Sequence, residues 1–449
     1  MSIPERFTLR REYFGGVLHD AETMQCHILT HTEYDILLKA AQKSHVSVLE
    51  LIKDELNPEV TKLRQIEAVK VNAFGGLVLV NTRIVPEPTV IPDHCLTAPI
   101  RVYHSFTRRC NLDCPQCCLN SNADFTEQRM TLEQFEKVVQ KFYEAGTMEW
   151  RFTGGEPTFC SDFIDAVRIA KSFGMAVMLN TNACWSEELT EKILQAGLIE
   201  IIISLEGSEE VNDSRRSPGT YRKILKVMDQ ISHHNKENPE KKIRVTINMT
   251  IGRDNVREVE FVVRLGAKYG YNVNFVPLRP YGRTPSQLPE TMLSTEEFMR
   301  FSENVQRLRE DPEIQASGIR VIHRNMDLFC PDYPDKSQEP YPFNYSDCGA
   351  LATGFGLCPD GRVNACSFLM NDEEFLGPNM IDVSVQEAWL HPKMEHFRRA
   401  KKLGCHGCRF YMRQCEGKCR AMVLAEGGKI ENGKLIGRDR YCFAHLMSK

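Results

Sequence analysis

Between residues 100 and 278 the chain alternates short apolar runs with stretches whose apolar residues recur every three or four positions. The short runs lie near 100–106, 149–153, 175–180, 199–205, 243–251 and 272–278 and predict strands; the periodic stretches between them predict helices. The first of these helices is the best marked. Thr131 and Gln134 make a capping box, Leu132, Phe135, Val138, Val139 and Phe142 share one face, and Gly146 stops it. Ile201, Ile202 and Ile203 run into Ser204 and Leu205 without alternation, as in a strand covered on both faces. Strands and helices taking turns in this way predict an α/β fold with a parallel sheet and a ligand site at the C-terminal strand ends.

Residues 1–85 follow a different rhythm. Strand-like runs from Phe7 to Leu18 and from Met24 to Leu29 meet near Asp20. A helix begins at Thr32 with Tyr34, Leu37, Leu38 and Ala41 on one face, a second spans Ser47 to Leu56, and a third spans Pro58 to Ala68. Gly75 and Gly76 then lead into an apolar strand from Leu77 to Val85. This order predicts a small winged-helix-like domain. Residues 86–282 hold a proline-bearing extended linker, Pro86 to Pro99, followed by the α/β core. Residues 283–346 read as a bridging region, with a helix opened by the Ser294 and Glu297 capping box and a loop from Pro331 to Pro342. Residues 347–449 form a cysteine-rich C-terminal domain.

The 449 residues suffice for two or three domains. Fifty-six basic against 60 acidic residues, a net charge of -4, leave no general polyanion footprint, so no nucleic-acid partner is expected. A winged helix could still bind DNA, but its helices carry Glu50, Asp54, Glu55 and Glu59 against Lys53, Lys62 and Arg64, a poor surface for phosphate. No apolar run reaches the ~20 residues of a membrane helix. The opening MSIPERFTLRREYF lacks a signal peptide's apolar core, and the expected location is cytoplasmic. Seventeen cysteines, many in tight groups, favour metal sites over a disulfide framework.

The tightest group is CNLDCPQC, with Cys110, Cys114 and Cys117 on one loop after a predicted strand. Zinc takes four ligands, usually from CxxC pairs, whereas a four-iron cluster held by three cysteines leaves one iron open. The next strand runs into Gly154, Gly155, Glu156 and Pro157. Together these motifs resemble the cluster loop and GGEP segment of the radical S-adenosylmethionine (SAM) enzymes. The resemblance implies a partial (β/α)6 barrel whose open iron is chelated by SAM, and an electron that splits SAM into methionine and a 5′-deoxyadenosyl radical. The residue before the third cysteine is usually aromatic in that family; here it is Gln116. Gly154, Gly155 and Glu156 are implied SAM contacts, as are Asn180, Asn182 and Ser204 at later strand ends. Residues 212–216 resemble the family's HDxxR pattern, with Asn212 in place of histidine and Glu206 upstream where aspartate is usual; Arg216 would clamp the SAM carboxylate. Alternatively, Asn180 and Ser204 only cap the helices that follow. Arg279, Pro280, Tyr281 and Gly282 close the sixth strand, as in family members with a C-terminal cluster domain.

Cys348, Cys358, Cys366, Cys405, Cys408, Cys415, Cys419 and Cys442 form a second field, with Gly361 five residues before Cys366. The pattern resembles the SPASM extension of peptide-modifying radical SAM enzymes. Cys348, Cys366 and Cys419 are then implied ligands of one auxiliary cluster, with Cys358 an open question as its fourth. Cys405, Cys408, Cys415 and Cys442 are implied ligands of another. The alternative is a pair of zinc ribbons. Cys26, Cys95, Cys118, Cys160, Cys184 and Cys330 read as small buried hydrophobes.

Residues 1–85, with their FTLRREYFGGVLHD opening, resemble the PqqD-like recognition element that holds a leader peptide as an added strand. Taken together, the resemblances imply a maturase of ribosomally made precursor peptides with three 4Fe-4S clusters, SAM and a flavodoxin- or ferredoxin-type electron donor. The implied reaction is intramolecular thioether formation. Carbon-to-carbon crosslinking, a sulfatase-maturase-like oxidation and a non-enzymatic zinc-bearing winged-helix protein are the alternatives. No catalytic base can be assigned.

Overall fold

The computed structural model describes residues 5–42, 58–71, 77–284, 290–323, 349–402, 405, 408 and 419–442. The helix expected over Ser47–Leu56, the Gly75–Gly76 pair and the Pro331–Pro342 loop lie outside them.

The N-terminal unit opens with β1 (Phe7–Glu12) and β2 (Gly15–Asp20), an antiparallel hairpin, where one continuous run was expected. The break is steric. Gly15 turns with φ +135°, and a Cβ there would lie 2.2 Å from the Leu29 carbonyl oxygen. Then come β3 (Cys26–Leu29), α1 (His31–Gln42), α2 (Pro58–Arg64), β4 (Val69–Val71), β5 (Leu77–Leu79) and β6 (Thr82–Ile84). The strand expected over 77–85 is split at Asn81, whose φ is +48°. One sheet has the order β3-β2-β1-β6, and β4 pairs with β5 as a separate hairpin. Phe7, Leu9, Leu18, Leu29, Tyr34 and Leu37 make this unit's own core.

The core fold follows the predicted alternation. Its parallel strands are β7 (Arg101–Thr107), β8 (Glu149–Gly154), β9 (Ala176–Thr181), β10 (Glu200–Ser204), β11 (Arg244–Ile251) and β12 (Asn272–Pro277). Between them lie α3 (Leu132–Glu144), α4 (Phe163–Ser172), α5 (Glu187–Gln195), α6 (Glu209–Arg215), α7 (Thr220–Glu237) and α8 (Val259–Tyr269). Helix α3 has the capping box of Thr131 and Gln134 and buries Phe135, Val138, Val139 and Phe142. The odd-numbered Ile201, Ile203, Ile247, Met249, Val273 and Phe275 are wholly buried in the main core.

The sheet does not end where the bridging region begins. After α9 (Thr295–Arg309) and α10 (Pro312–Ser317), β13 (Val321–His323) joins β12 in parallel. On the opposite edge β14 (Gly354–Leu357) pairs in parallel with β7, and β15 (Arg362–Asn364) and β16 (Leu376–Asn379) follow antiparallel. The first strands of the C-terminal region thus extend the same sheet, which has the order β13-β12-β11-β10-β9-β8-β7-β14-β15-β16. The chain continues through α11 (Val385–Trp389), α12 (Pro392–Arg399), β17 (Lys401–Lys402), α13 (Arg420–Ala425), β18 (Lys429–Glu431) and β19 (Lys434–Ile436). Among the described residues no helix is long and apolar enough to cross a membrane.

The stretch 86–99 has neither helix nor strand, yet its end is buried. Leu96 and Ala98 have almost no exposure, and the Trp389 indole N–H donates to the Leu96 carbonyl at 2.6 Å. Arg10 and Glu12 of β1, both buried, pair at 2.7 Å. Arg10 also donates to the carbonyls of Ala98 (2.9 Å) and Gly146 (2.8 Å), while Glu12 accepts from the Thr97 N–H (2.8 Å). A second buried contact joins His19 of β2 to Glu149 of β8 at 2.9 Å, with Arg101 on the other carboxylate oxygen. Every polar group in these joints is paired, the condition under which buried charge is tolerated.

Burial alone would raise the Glu149 carboxyl, but Arg101 and His19 outweigh it and hold it down at about 2. A depressed folded-state value stabilises above the unfolded value of about 4.3 and loses that stabilisation as pH falls toward 2. Glu149→Gln should therefore cost about 3–5 kcal/mol at neutral pH, read by urea unfolding, and should flatten the acid limb of the stability profile between those two values.

Candidate metal and cofactor site

The three cysteines lie on the loop that leaves the C-terminal end of β7. It carries no helix or strand of its own, so its shape comes from its neighbours. The Cys110 N–H donates to the Asn122 carbonyl (2.9 Å) and the Cys117 N–H to that of Cys114 (3.1 Å), closing the loop into turns. The Ser121 N–H points at the Cys117 sulfur (3.3 Å), and the Asn182 amide lies 3.7 Å from the Cys110 sulfur. Burial pushes the Cys110 thiol up to about 12 and raises Cys114 as well, with Arg216 opposing the shift at Cys114. The bare loop therefore favours neutral thiols, and metal binding would displace their protons.

Gly154 and Gly155 hold the start of this loop. The Gly155 N–H donates to the Thr107 carbonyl (2.7 Å) and the Glu156 N–H to that of Arg109 (2.9 Å). Gly154 has φ +118°, and a Cβ on Gly155 would sit 2.1 Å from the Arg109 oxygen. In this structure the glycines serve the approach of two backbones. Glu156 is likewise engaged within the protein. Its buried carboxylate accepts from Thr158 Oγ1 (2.7 Å), Thr181 Oγ1 (2.9 Å) and the Asn182 N–H (2.7 Å), tying the end of β8 to the end of β9.

Of the other expected contacts, Asn180 buries its side-chain oxygen without a hydrogen-bond partner. Ser204 ends β10 in register with Asn248 and Asn274, and the Asn274 amide donates to Asn248 (2.6 Å). Arg216 holds Glu206 at 2.5 Å and leaves its Nε buried without a hydrogen bond. Asn212 and Asp213 have local work. Asn212 accepts from the Glu206 N–H (3.1 Å), and Asp213 accepts from the N–H groups of Gly219 (2.6 Å) and Tyr221 (2.8 Å) at the start of α7. Gln116 buries both ends of its amide without a partner.

The second cysteine field lies across the strand ends. Cys419 precedes α13, and its N–H donates to Asp439 Oδ2 (2.7 Å). The Cys442 N–H donates to the Asp439 carbonyl (3.1 Å), and the Cys408 N–H to that of Cys405 (3.0 Å). Cys366 follows β15. Cys348 and Cys415 lie outside the described residues, as does Cys330. Cys358 packs with Leu119, Met370 and Leu376, and its sulfur accepts from the Asn364 amide at 3.4 Å.

Arg279 was read only as part of a strand end, and Arg283 escaped the motif reading. The Arg279 guanidinium is buried over the Phe368 ring (4.8 Å), beside the Cys366 and Cys419 thiols. Arg283, also buried, donates to the Cys114 and Ser121 carbonyls, each at 2.9 Å. The sequence RPYGR was their only signal.

A loop of three thiols, Cys110 buried and Cys114 and Cys117 half-buried, at the strand ends of a parallel sheet, with unsatisfied polar groups on Asn180, Arg216 and Gln116 nearby, fits a three-cysteine iron cluster with a polar ligand on it. This is the fold of a radical SAM domain, and residues 104–266 match the Radical SAM superfamily. The mycofactocin maturase MftC of Mycolicibacterium smegmatis is 26% identical over 364 residues, covering 77% of this chain and 85% of that protein. The PqqA peptide cyclase of Bradyrhizobium diazoefficiens is 25% identical over 351 residues, covering 74% and 84%. Among solved structures, Streptococcus suis SuiB bound to S-adenosylmethionine superposes with a TM-score of 0.70 at 16% identity, covering 99% of this chain and 100% of that one. The enzyme anSMEcpe with bound AdoMet gives 0.60 at 17% identity, covering 78% and 95%.

If Glu156 is above all a joint between strand ends, Glu156→Gln should cost about 1–3 kcal/mol of stability in the protein without SAM, measured by urea unfolding. Unchanged stability with weakened SAM binding would assign it to the ligand instead.

Proposed function

We propose that this chain is a radical SAM maturase that binds a ribosomally made precursor peptide and installs an intramolecular thioether between a cysteine sulfur and a carbon of the same peptide. The observation that carries the reading is the three-thiol loop at the end of β7, faced across the strand ends by a second cysteine field. The similarity to MftC and to the PqqA peptide cyclase supports a peptide substrate, as does the fold shared with SuiB, which has been crystallised with its precursor peptide SuiA.

Cys110, Cys114 and Cys117 would hold the SAM-binding cluster. Asn180, Asn182, Ser204, Arg216 and the Gly154–Glu156 segment would surround SAM, with Glu156 acting through Thr181 and Asn182. When bound, cluster and SAM supply a deoxyadenosyl radical that removes a carbon-bound hydrogen. Cys348, Cys366 and Cys419 would ligate one auxiliary cluster, and Cys405, Cys408, Cys415 and Cys442 the other. The apolar packing of Cys358 and its bond from Asn364 support its place outside the ligand set, which leaves the first auxiliary cluster an open iron for a substrate thiolate. A flavodoxin- or ferredoxin-type protein would deliver electrons.

The N-terminal unit would hold the leader of the precursor. Among the described residues β3 is an edge strand of this sheet, paired with β2 alone, which supports leader binding by strand addition. Carbon-to-carbon crosslinking is the second reading, favoured by the similarity to a peptide cyclase.

Anaerobically purified protein should be brown and rich in iron; stoichiometric zinc without iron would overturn the cluster assignment. Co-expression with the precursor should remove a pair of hydrogens per modified residue and block alkylation of the matching cysteines, both read by mass spectrometry. The same mass loss with free cysteines would favour the carbon crosslink.

A further inference from the structure

The turn that leaves β12, residues 278–284, touches both cysteine fields. On one side the Tyr281 hydroxyl donates to the Ala421 carbonyl (2.6 Å), the Tyr441 hydroxyl donates to that of Leu278 (2.6 Å), and Arg279 lies beside Cys366 and Cys419. On the other side its backbone is pressed onto the cysteine loop. The Arg283 N–H donates to the Cys117 carbonyl (3.1 Å). Gly282 has φ +61°, and a Cβ there would lie 2.2 Å from that same oxygen.

Arg283 then spreads over the loop. Its Nε donates to the Cys114 carbonyl (2.9 Å), one Nη donates to the Ser121 carbonyl (2.9 Å), and the other pairs with the exposed Asp113 carboxylate (2.7 Å). Acceptors between and after the cysteines are thus gathered by one planar group. A lysine, with a single point charge on a flexible stem, could not span them. Each peptide unit is planar, so a fixed carbonyl turns the following N–H the other way. Holding Cys117 and Ser121 by their carbonyls therefore orients the N–H groups of Cys118 and Asn122 away from the arginine. The Ser121 N–H meanwhile lies on the Cys117 sulfur at 3.3 Å.

We propose that Arg283 is the positioning residue of the cysteine loop: anchored by Gly282 on a turn braced against the C-terminal cysteine field, it holds the loop in the shape that binds the cluster and presents it to SAM. This rests on the reading that Cys110, Cys114 and Cys117 hold a cluster. Arg283 acts through the backbone that carries the three sulfurs, by its bonds to the Cys114 and Ser121 carbonyls.

The test uses the full-length reconstituted protein, wild type against Arg283→Gln, Arg283→Lys and Arg398→Gln. Arg398 is a similarly buried guanidinium on α12 that donates to the Trp389 and Leu351 carbonyls, so its loss controls for general destabilisation. Two readouts apply: iron released to a chelator over time, and the change in the reduced cluster's electron paramagnetic resonance signal on adding SAM, titrated for affinity. Arg283→Gln should weaken SAM affinity or iron retention at this cluster by about 10-fold. Arg283→Lys should fall between it and wild type, and Arg398→Gln should leave the SAM response unchanged. Should Arg283→Gln not fold, the Lys variant and Asp113→Asn carry the test, each expected to shift the SAM titration in the same direction by less. A wild-type SAM response and wild-type iron retention in the folded Arg283 variants would overturn the proposal. Equal effects of the Arg398 variant would reduce it to fold stability. A wild-type protein with iron but no SAM-dependent signal would overturn the cluster reading itself.

Discussion

The site depends on two backbones meeting where β7 and β8 end. Gly155 lies so close to the Arg109 carbonyl that no side chain fits between them, and the two N–H bonds across this contact set where the next residue, Cys110, begins its loop. Glu156 carries the constraint onward, since the residue whose N–H grips Arg109 also accepts from Thr181 and Asn182 with its side chain. Three successive strand ends are thereby locked in sequence. A loop with no regular structure can hold three thiols in place because both the strand it leaves and the strand beside it are fixed at backbone level.

The N-terminal unit is joined to the opposite end of the same strands. Its partners include Ala98, Gly146, Glu149 and Arg244, all at or before the N-terminal strand ends. Strands of this kind rise about 3.3 Å per residue, so the length of β7, about 20 Å, separates that joint from the cysteine loop. A peptide held by the N-terminal unit would have to pass along the molecule to reach the cysteines. The joint is made of paired buried charges, which fix orientation more sharply than an apolar contact of the same size because a shifted partner leaves a charge uncompensated.

Much of the core was legible in the chain. Each of the strands expected between 100 and 278 appears within a residue or two of its place, because strands covered on both faces are written as unbroken apolar runs and α3 is delimited by its own caps. The hairpin inside Phe7–Leu18 was not legible. Its apolar pattern continues through the turn, and the need for glycine at position 15 comes from Leu29, a residue of another strand. Arg283 was passed over for a similar reason. An arginine after a strand has no local signature, and its value here comes from carbonyls more than 160 residues away in sequence.

Composition and spacing by themselves determined the α/β alternation and the grouping of thiols. These are local properties, set by periodicity and by position along the chain. Tertiary structure decided the uses of individual side chains. Glu156 and Asn212 stand at motif positions yet spend their hydrogen bonds within the protein. The C-terminal region extends the core sheet through β14 beside β7. Arg283, in no motif, holds the cysteine loop. Each of these outcomes follows from which backbone groups remain unsatisfied once distant segments pack together, and that is settled only when the chain has folded.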